Sequence, residues 1–333
     1  MAKKSYVSKL FRTPNGHTLK KKKGVTPYVF EEQTLIALDA ALATGRPLLV
    51  YGEPGTGKSR LAEAVAACHG ASFLRVTMTS RMRLDDLTAG IDQLRRLNDA
   101  NANAPQRPDA FYLKPGVFWW AFEPDSARRR GLSPDDADTH GVDLRFPGDE
   151  RNGDARRTVA RSTGADLDCV LLIDEIDKAE PDLPNDLLEP LERLSFDLPE
   201  GFRVADRAAI HAPDDLRVLM IVASNREREL PQAFLRRCVA LELPEPDADR
   251  LVKIARQHYP EADEDTVAAL ARLTLKLREQ ARDQGIRAPG TAEFLDAVQA
   301  CETLSVDVPA EGEPADPVWA QLERAVLTKG SNP

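Results

Sequence analysis

The eight residues Gly52-Glu53-Pro54-Gly55-Thr56-Gly57-Lys58-Ser59 constrain this chain more than any other feature. They match G-x-x-x-x-G-K-[ST], and the pattern stands where it has a mechanism. An apolar run, Leu48 to Tyr51, precedes it, and Lys58 to His69 follows with helical spacing. A strand that turns through glycines into a helix points backbone N–H groups, and the positive end of the helix, at one spot. An anion fits there. Lys58 is placed to reach the β- and γ-phosphates of a nucleotide, and Ser59 to offer its hydroxyl to a magnesium ion.

A second constellation belongs with the first. Val170-Leu171-Leu172-Ile173 is an apolar strand that delivers Asp174 and Glu175 to its C-terminal end, where ligands bind in open α/β sheets. Asp174 is expected to hold magnesium through water, and Glu175 to orient and polarise an attacking water. Strands solvated at their ends by acids are common, so this signal gains its weight from the phosphate loop upstream.

Two further segments are ambiguous alone. Leu219 to Ala223 leads through Ser224 to Asn225, whose amide either caps the next turn or bridges a γ-phosphate and a water. Ala233 to Cys238 carries Arg236 and Arg237. The pair is either a solvated helix end or a source of the positive charge that phosphoryl transfer draws from a neighbouring subunit.

Along the 333 residues, short apolar runs at Leu48–Tyr51, Phe73–Thr77, Cys169–Ile173 and Leu216–Val222 alternate with helical patterns such as Glu31–Ala43. That alternation predicts an α/β fold, a parallel sheet with helices on both faces, over residues 27–245. From 246 to 333 strands disappear, and helices are expected at Leu251–Tyr259, Glu264–Gln284, Thr291–Leu304 and Pro317–Leu327, forming a small all-α lid. Residues 1–26, with Lys3, Lys4, Lys9 and Lys20 to Lys23, read as a basic flexible tail. Between 123 and 168 periodicity dissolves, and an insertion or long loop outside the core is expected.

Composition narrows the classes. The net charge of −9 does not invite nucleic acid over the whole surface. No apolar run nears the roughly 20 residues that cross a bilayer, and no hydrophobic stretch follows the lysine-rich start, so a cytoplasmic location is expected. Cys68, Cys169, Cys238 and Cys301 are scattered, as reduced thiols are. His17, His69, His140, His211 and His258 form no metal-ligand spacing. Trp119 and Trp120 read as a packed helix face rather than a stacking platform.

With the four segments in this order, residues Tyr28 to Leu304 resemble the AAA+ ATPases and, within them, the dynein-related MoxR group. Leu84 to Gly90 is similar to that group's D-L-x-G segment, Lys114 to Phe118 to its P-G-P-L segment, and Asp174 to Ala179 is a close match. The resemblance implies that Asn225 is the sensor 1 residue and that Arg236 or Arg237 is the arginine finger. The family has Asp-Arg-Phe where this chain has Arg236-Arg237-Cys238, and alignment by position favours Arg237. A γ-phosphate-sensing lid arginine normally follows a proline; here Gly290 follows Pro289, leaving Arg287 as the candidate. ATP and Mg2+ are the implied cofactors. A ring, commonly a hexamer, is the implied assembly, and a remodelled protein client the implied partner, often with a von Willebrand A domain. The competing expectation is a nucleic-acid-dependent NTPase of the McrB restriction type, kept open by the basic tail and by Arg128 to Arg130. It is weakened by the absence of N-K-x-D.

Overall fold

This computed structural model describes residues 18–19, 26–102, 107–147, 167–309 and 316–328. Most of the basic tail, residues 1–26, and all of residues 148–166 lie outside the described residues. Contacts gather the chain into two compact units, one of Leu35–Tyr51 with Val65–Leu241, the other of Gly52–Ala64 with the residues from Glu242 on and the short stretch before Leu35.

A two-stranded pair, β1 (Thr18–Leu19) and β2 (Tyr28–Val29), precedes helix α1 (Glu32–Thr44). The first unit is organised by a parallel sheet in the order β11-β3-β10-β7-β4. Its strands are β3 (Leu48–Tyr51), β4 (Ser72–Thr77), β7 (Cys169–Asp174), β10 (Val218–Ser224) and β11 (Val239–Glu242). Side chains alternate across a strand, so Leu171, Ile173, Met220 and Val222 face one way, into the main hydrophobic cluster. Val170, Leu172, Leu219 and Ile221 face the other way and are buried too. A sheet covered on both faces is what its near-continuous apolar strands require. The helix α2 (Lys58–His69) returns the chain from β3 towards β4.

Strand β11 has no counterpart in the sequence reading. It is an edge strand in which only Leu241 is buried, so the run carries little of the apolar excess by which a strand is recognised. Two small hairpins escaped for the same reason. In the first, α3 (Leu84–Leu87) leads into β5 (Ala89–Ile91), which pairs with β6 (Leu113–Pro115) across the helix α4 (Gln93–Asn101). Gly116 donates its N–H to the Thr88 carbonyl at 2.8 Å, and a Cβ there would run into the Leu87 backbone. The two motif segments, 84–90 and 114–118, are therefore one packed unit. The second hairpin, β8 (Ser195–Asp197) with β9 (Ala209–His211), follows α8 (Leu183–Asp186) and α9 (Leu188–Arg193).

The stretch after Glu123 corrects the expectation of a loop outside the core. After α5 (Val117–Phe122), residues up to Phe146 form α6 (Pro124–Arg128) and α7 (Pro134–His140). Ala127, Leu132, Ala137 and Val142 belong to the main cluster, with Trp119 and Trp120 buried beside them. These apolar anchors are sparse and carried on helices of one or two turns, too short to show a period. Asp143 pairs with Arg128, Arg129 Nε donates to the Leu132 carbonyl at 3.4 Å, and Arg130 donates to the carbonyls of Phe111 and Leu113 at 3.1 and 3.3 Å. Burial holds the Arg130 guanidinium below its ordinary pKa.

In the second unit α11 (Ala248–His258), α12 (Glu264–Gln284), α13 (Thr291–Leu304) and α14 (Pro317–Glu323) follow the short α10 (Gln232–Leu235) of the first. Asp247 and Asp263 cap α11 and α12 by accepting from the amides of Arg250 and Thr266, each at 2.8 Å. Leu251, Leu270, Phe294, Val298 and Trp319 make its core. Among the described residues no helix is long and apolar enough to cross a membrane.

Candidate nucleotide site

Parallel pairing brings three strand ends together. Tyr51 on β3 lies opposite Ser224 on β10, and Val222 opposite Ile173 on β7, so Tyr51, Asp174 and Asn225 all stand at or just beyond the C-terminal edge. From Tyr51 the chain passes directly into Gly52.

The loop itself is wound around Lys58. Its Nζ donates to the carbonyls of Gly52 and Glu53 at 2.6 and 3.0 Å, and the residue is only 7% exposed. Thr56 Oγ1 donates to the Glu53 carbonyl at 2.9 Å. Gly55 and Gly57 have φ of +84° and +94°, which side chains disfavour. The residues fit a nucleotide phosphate: a buried ammonium stands at the mouth of a helix of 12 residues, with Ser59 as its second residue. Magnesium in such sites takes most of its ligands from phosphates and water. On the loop Ser59, and on the sheet Asp174, are the residues that could serve as its ligands.

In the same unit as the loop, the N-terminus of α13 closes in. A Cβ on Gly55 would meet the Gly290 Cα at 3.0 Å, and the Thr291 N–H donates to the Gly55 carbonyl at 3.4 Å. Gly290 is thus a backbone contact of the loop. Arg287 is mostly exposed and pairs with Glu293 at 2.9 Å.

The carboxylates stand at the end of the sheet. Asp174 is buried, and Arg75 Nη2 lies 2.7 Å from its Oδ2. Glu175 leaves the strand with φ +57° and ψ +43°, a left-handed conformation that costs a non-glycine residue on the order of 1–3 kcal/mol. Its carboxylate is 3.1 Å from Lys178 Nζ, and that hydrogen bond holds the Lys178 pKa above its ordinary value. Asn225 donates its backbone N–H to Asp177 Oδ2 at 3.1 Å. Next to it Arg226, at φ +61°, lays its guanidinium 4.5 Å from the Tyr51 ring centre, which links two of the strand tips. A polar cleft of about 570 Å³ opens beside these groups, lined by Thr77 to Ser80, Glu175, Asp177, Lys178, Glu227 and Arg228.

The arginine pair lies elsewhere on the first unit. Arg237 Nε is 2.6 Å from Glu192 Oε1, and its Nη1 donates to the Ala233 carbonyl at 3.2 Å. Arg236 is exposed; its backbone N–H donates to the Gln232 carbonyl at 3.2 Å, while its side chain has no ion pair or hydrogen bond among the described residues. Arg75, Asp177 and Glu192 were not found by sequence reasoning. Asp177 alone left a signal, two residues past Glu175; the others depend on neighbours distant in sequence.

No curated protein matches the chain. A solved proline-to-glycine mutant of Thermotoga maritima RuvB is similar, at 14% identity and a TM-score of 0.37, over 87% of this chain and 72% of that one. A TM-score that low carries no weight for function. Residues 42–205, just under half of the chain, match the AAA domain family, a span that contains the phosphate loop and Asp174-Glu175 and ends before Asn225 and the arginine pair.

Proposed function

We propose that this protein is a magnesium-dependent ATPase of the AAA+ type that works as a ring motor on a protein partner. The observation that carries the reading is the placement of a strained Glu175 directly after a buried Asp174, at the end of the strand next to the one that leads into Asn225. In an ATP complex the phosphate loop would grip the β- and γ-phosphates, and Ser59 and Asp174 would hold magnesium, which would offset the phosphate charge. Glu175 takes up and polarises the attacking water, while the Asn225 amide orients it against the terminal phosphate. Arg237 or Arg236 supplies positive charge to the active site of a neighbouring copy, which is why a ring, commonly of six, follows.

The MoxR-like segments 84–90 and 114–118 support a chaperone-like remodelling role, with a von Willebrand A domain protein as the class of client. The restriction-type alternative loses one support, because Arg128, Arg129 and Arg130 are spent on internal partners. Phosphate release from ATP by the purified chain, with and without magnesium, tests the reading. Release that requires magnesium and is unchanged by duplex DNA supports it. No release in any assembly state sinks the ATPase, and strong DNA stimulation that fades with salt favours the alternative.

A further inference from the structure

We propose that Asp177 is a positioning residue that locks the strand tip carrying Asn225 to the turn carrying Glu175, a role that rests on the ATPase reading above. The two groups must act on one water and one phosphate, yet they sit at the ends of different strands, on backbone in unfavourable conformations. Glu175 and Arg226 both have positive φ, +57° and +61°. Such residues persist only where their surroundings over-determine them.

The surroundings here are three successive amides held by two side chains. Asp177 Oδ2 accepts from the N–H of Asn225 at 3.1 Å and of Glu227 at 2.9 Å. Between them the Arg226 N–H donates to Ser224 Oγ at 3.0 Å. Amides converging on one carboxylate oxygen form an anion nest, and the anion belongs to the 3₁₀ turn Ile176–Lys178 that begins directly after Glu175. The path from Glu175 to Asn225 is therefore two residues of backbone and one charge-assisted hydrogen bond.

Asp177 is also an expensive choice for a mere cap. It is 3% exposed, and its Oδ1 is buried with no hydrogen-bond partner among the described residues. Leaving a buried polar atom unmet costs free energy that a serine or threonine cap would avoid. Asp177 also lines the cleft together with Glu175, Lys178 and Glu227, the last of which donates one of the two amides it holds.

Asp177→Ala removes both acceptors, and Asp177→Asn keeps a carbonyl oxygen of the same shape to receive both amides. The alanine variant is expected to lose roughly 10- to 100-fold in kcat, the penalty of a small misplacement of a reacting group. Its Kd for a non-hydrolysable ATP analogue should stay within about twofold of the parent's, because the phosphate loop is untouched, and the asparagine variant should recover most of the rate. Should the alanine variant not fold, Asp177→Glu displaces the carboxylate by one methylene, and the same split between kcat and Kd is read there. Parental kcat in the folded variant overturns the proposal. So does a joint loss of rate and affinity with asparagine no better than alanine, which is the mark of a purely structural residue. If the parent itself does not hydrolyse ATP, the ATPase reading falls first, and amide exchange then judges the lock. Faster exchange at 225 and 227 in Asp177→Ala, restored in Asp177→Asn, upholds it; unchanged exchange overturns it.

Discussion

The guanidinium of Arg75 reaches from β4 to the carboxylate of Asp174 at the end of β7, 2.7 Å away. Arg75 lies opposite Leu172 in the register, two residues before Asp174 and on the same face, so its long side chain spans the diagonal. The Asp174 carboxylate is thus already compensated by a positive charge, and in the proposed site magnesium would compete with it. Arg75→Gln should lower the magnesium concentration needed for half-maximal nucleotide binding by roughly two- to fivefold, the scale of one partly exposed ion pair. A fluorescent nucleotide titrated at varied magnesium reads this. An unchanged or raised requirement would show that Arg75 orients Asp174 rather than competing for it.

Lys58 is held by two loop carbonyls, and a nucleotide phosphate would replace them. Lys58→Ala should weaken ATP binding by roughly 10- to 100-fold, the worth of a charge-assisted hydrogen bond, and abolish turnover. Parental affinity in equilibrium binding would sink the phosphate-loop reading.

Glu175→Gln keeps the shape and leaves Asp174 in place while removing the charge that polarises water. The variant should bind ATP as the parent does and hydrolyse it roughly 10²- to 10⁴-fold more slowly. It should accumulate in the ATP-bound assembly, which light scattering would detect. Full turnover would require another base.

Arg237 is tethered to Glu192 while Arg236 is not, and in the proposed ring either would supply charge to a neighbour's site. A finger acts on charge that develops in the transition state, so losing the working one should cost turnover roughly 10³-fold or more while sparing ATP binding. Mixing Lys58→Ala subunits with Arg237→Ala or Arg236→Ala subunits identifies it. Activity should return only where complete interfaces are rebuilt. Mixed rings that exchange subunits yet stay inactive with both partners would exclude catalysis between subunits.

Trp119 tests the reassigned stretch after Glu123. It is fully buried, and its indole N–H donates to Ser126 Oγ at 3.3 Å, the first contact of the segment with the core. Trp119→Ala should cost about 3–5 kcal/mol of stability, seen as a lower denaturation midpoint. A shift under about 1 kcal/mol, the range of surface changes, would return the segment to the periphery.

What the linear sequence determined is local. The helices Lys58–His69, Glu264–Gln284 and Thr291–Leu304 and the strand Leu48–Tyr51 have the bounds that their periodicity and breakers predict. Gly52 to Ser59 and Asp174-Glu175 were legible because their chemistry is carried by contiguous residues: glycines for the turn, a lysine for charge, an apolar strand ahead of the acids. The tertiary structure decided whatever depends on neighbours remote in the chain. Pairing alone made an edge strand of Val239–Glu242, and packing alone drew Ala127 and Leu132 into the core. Arg75 reaches Asp174 across 99 positions, and Asp177 reaches the Asn225 amide across 48. Such contacts leave no period or spacing in a sequence, because a charge meets its partner only after the sheet has set the register.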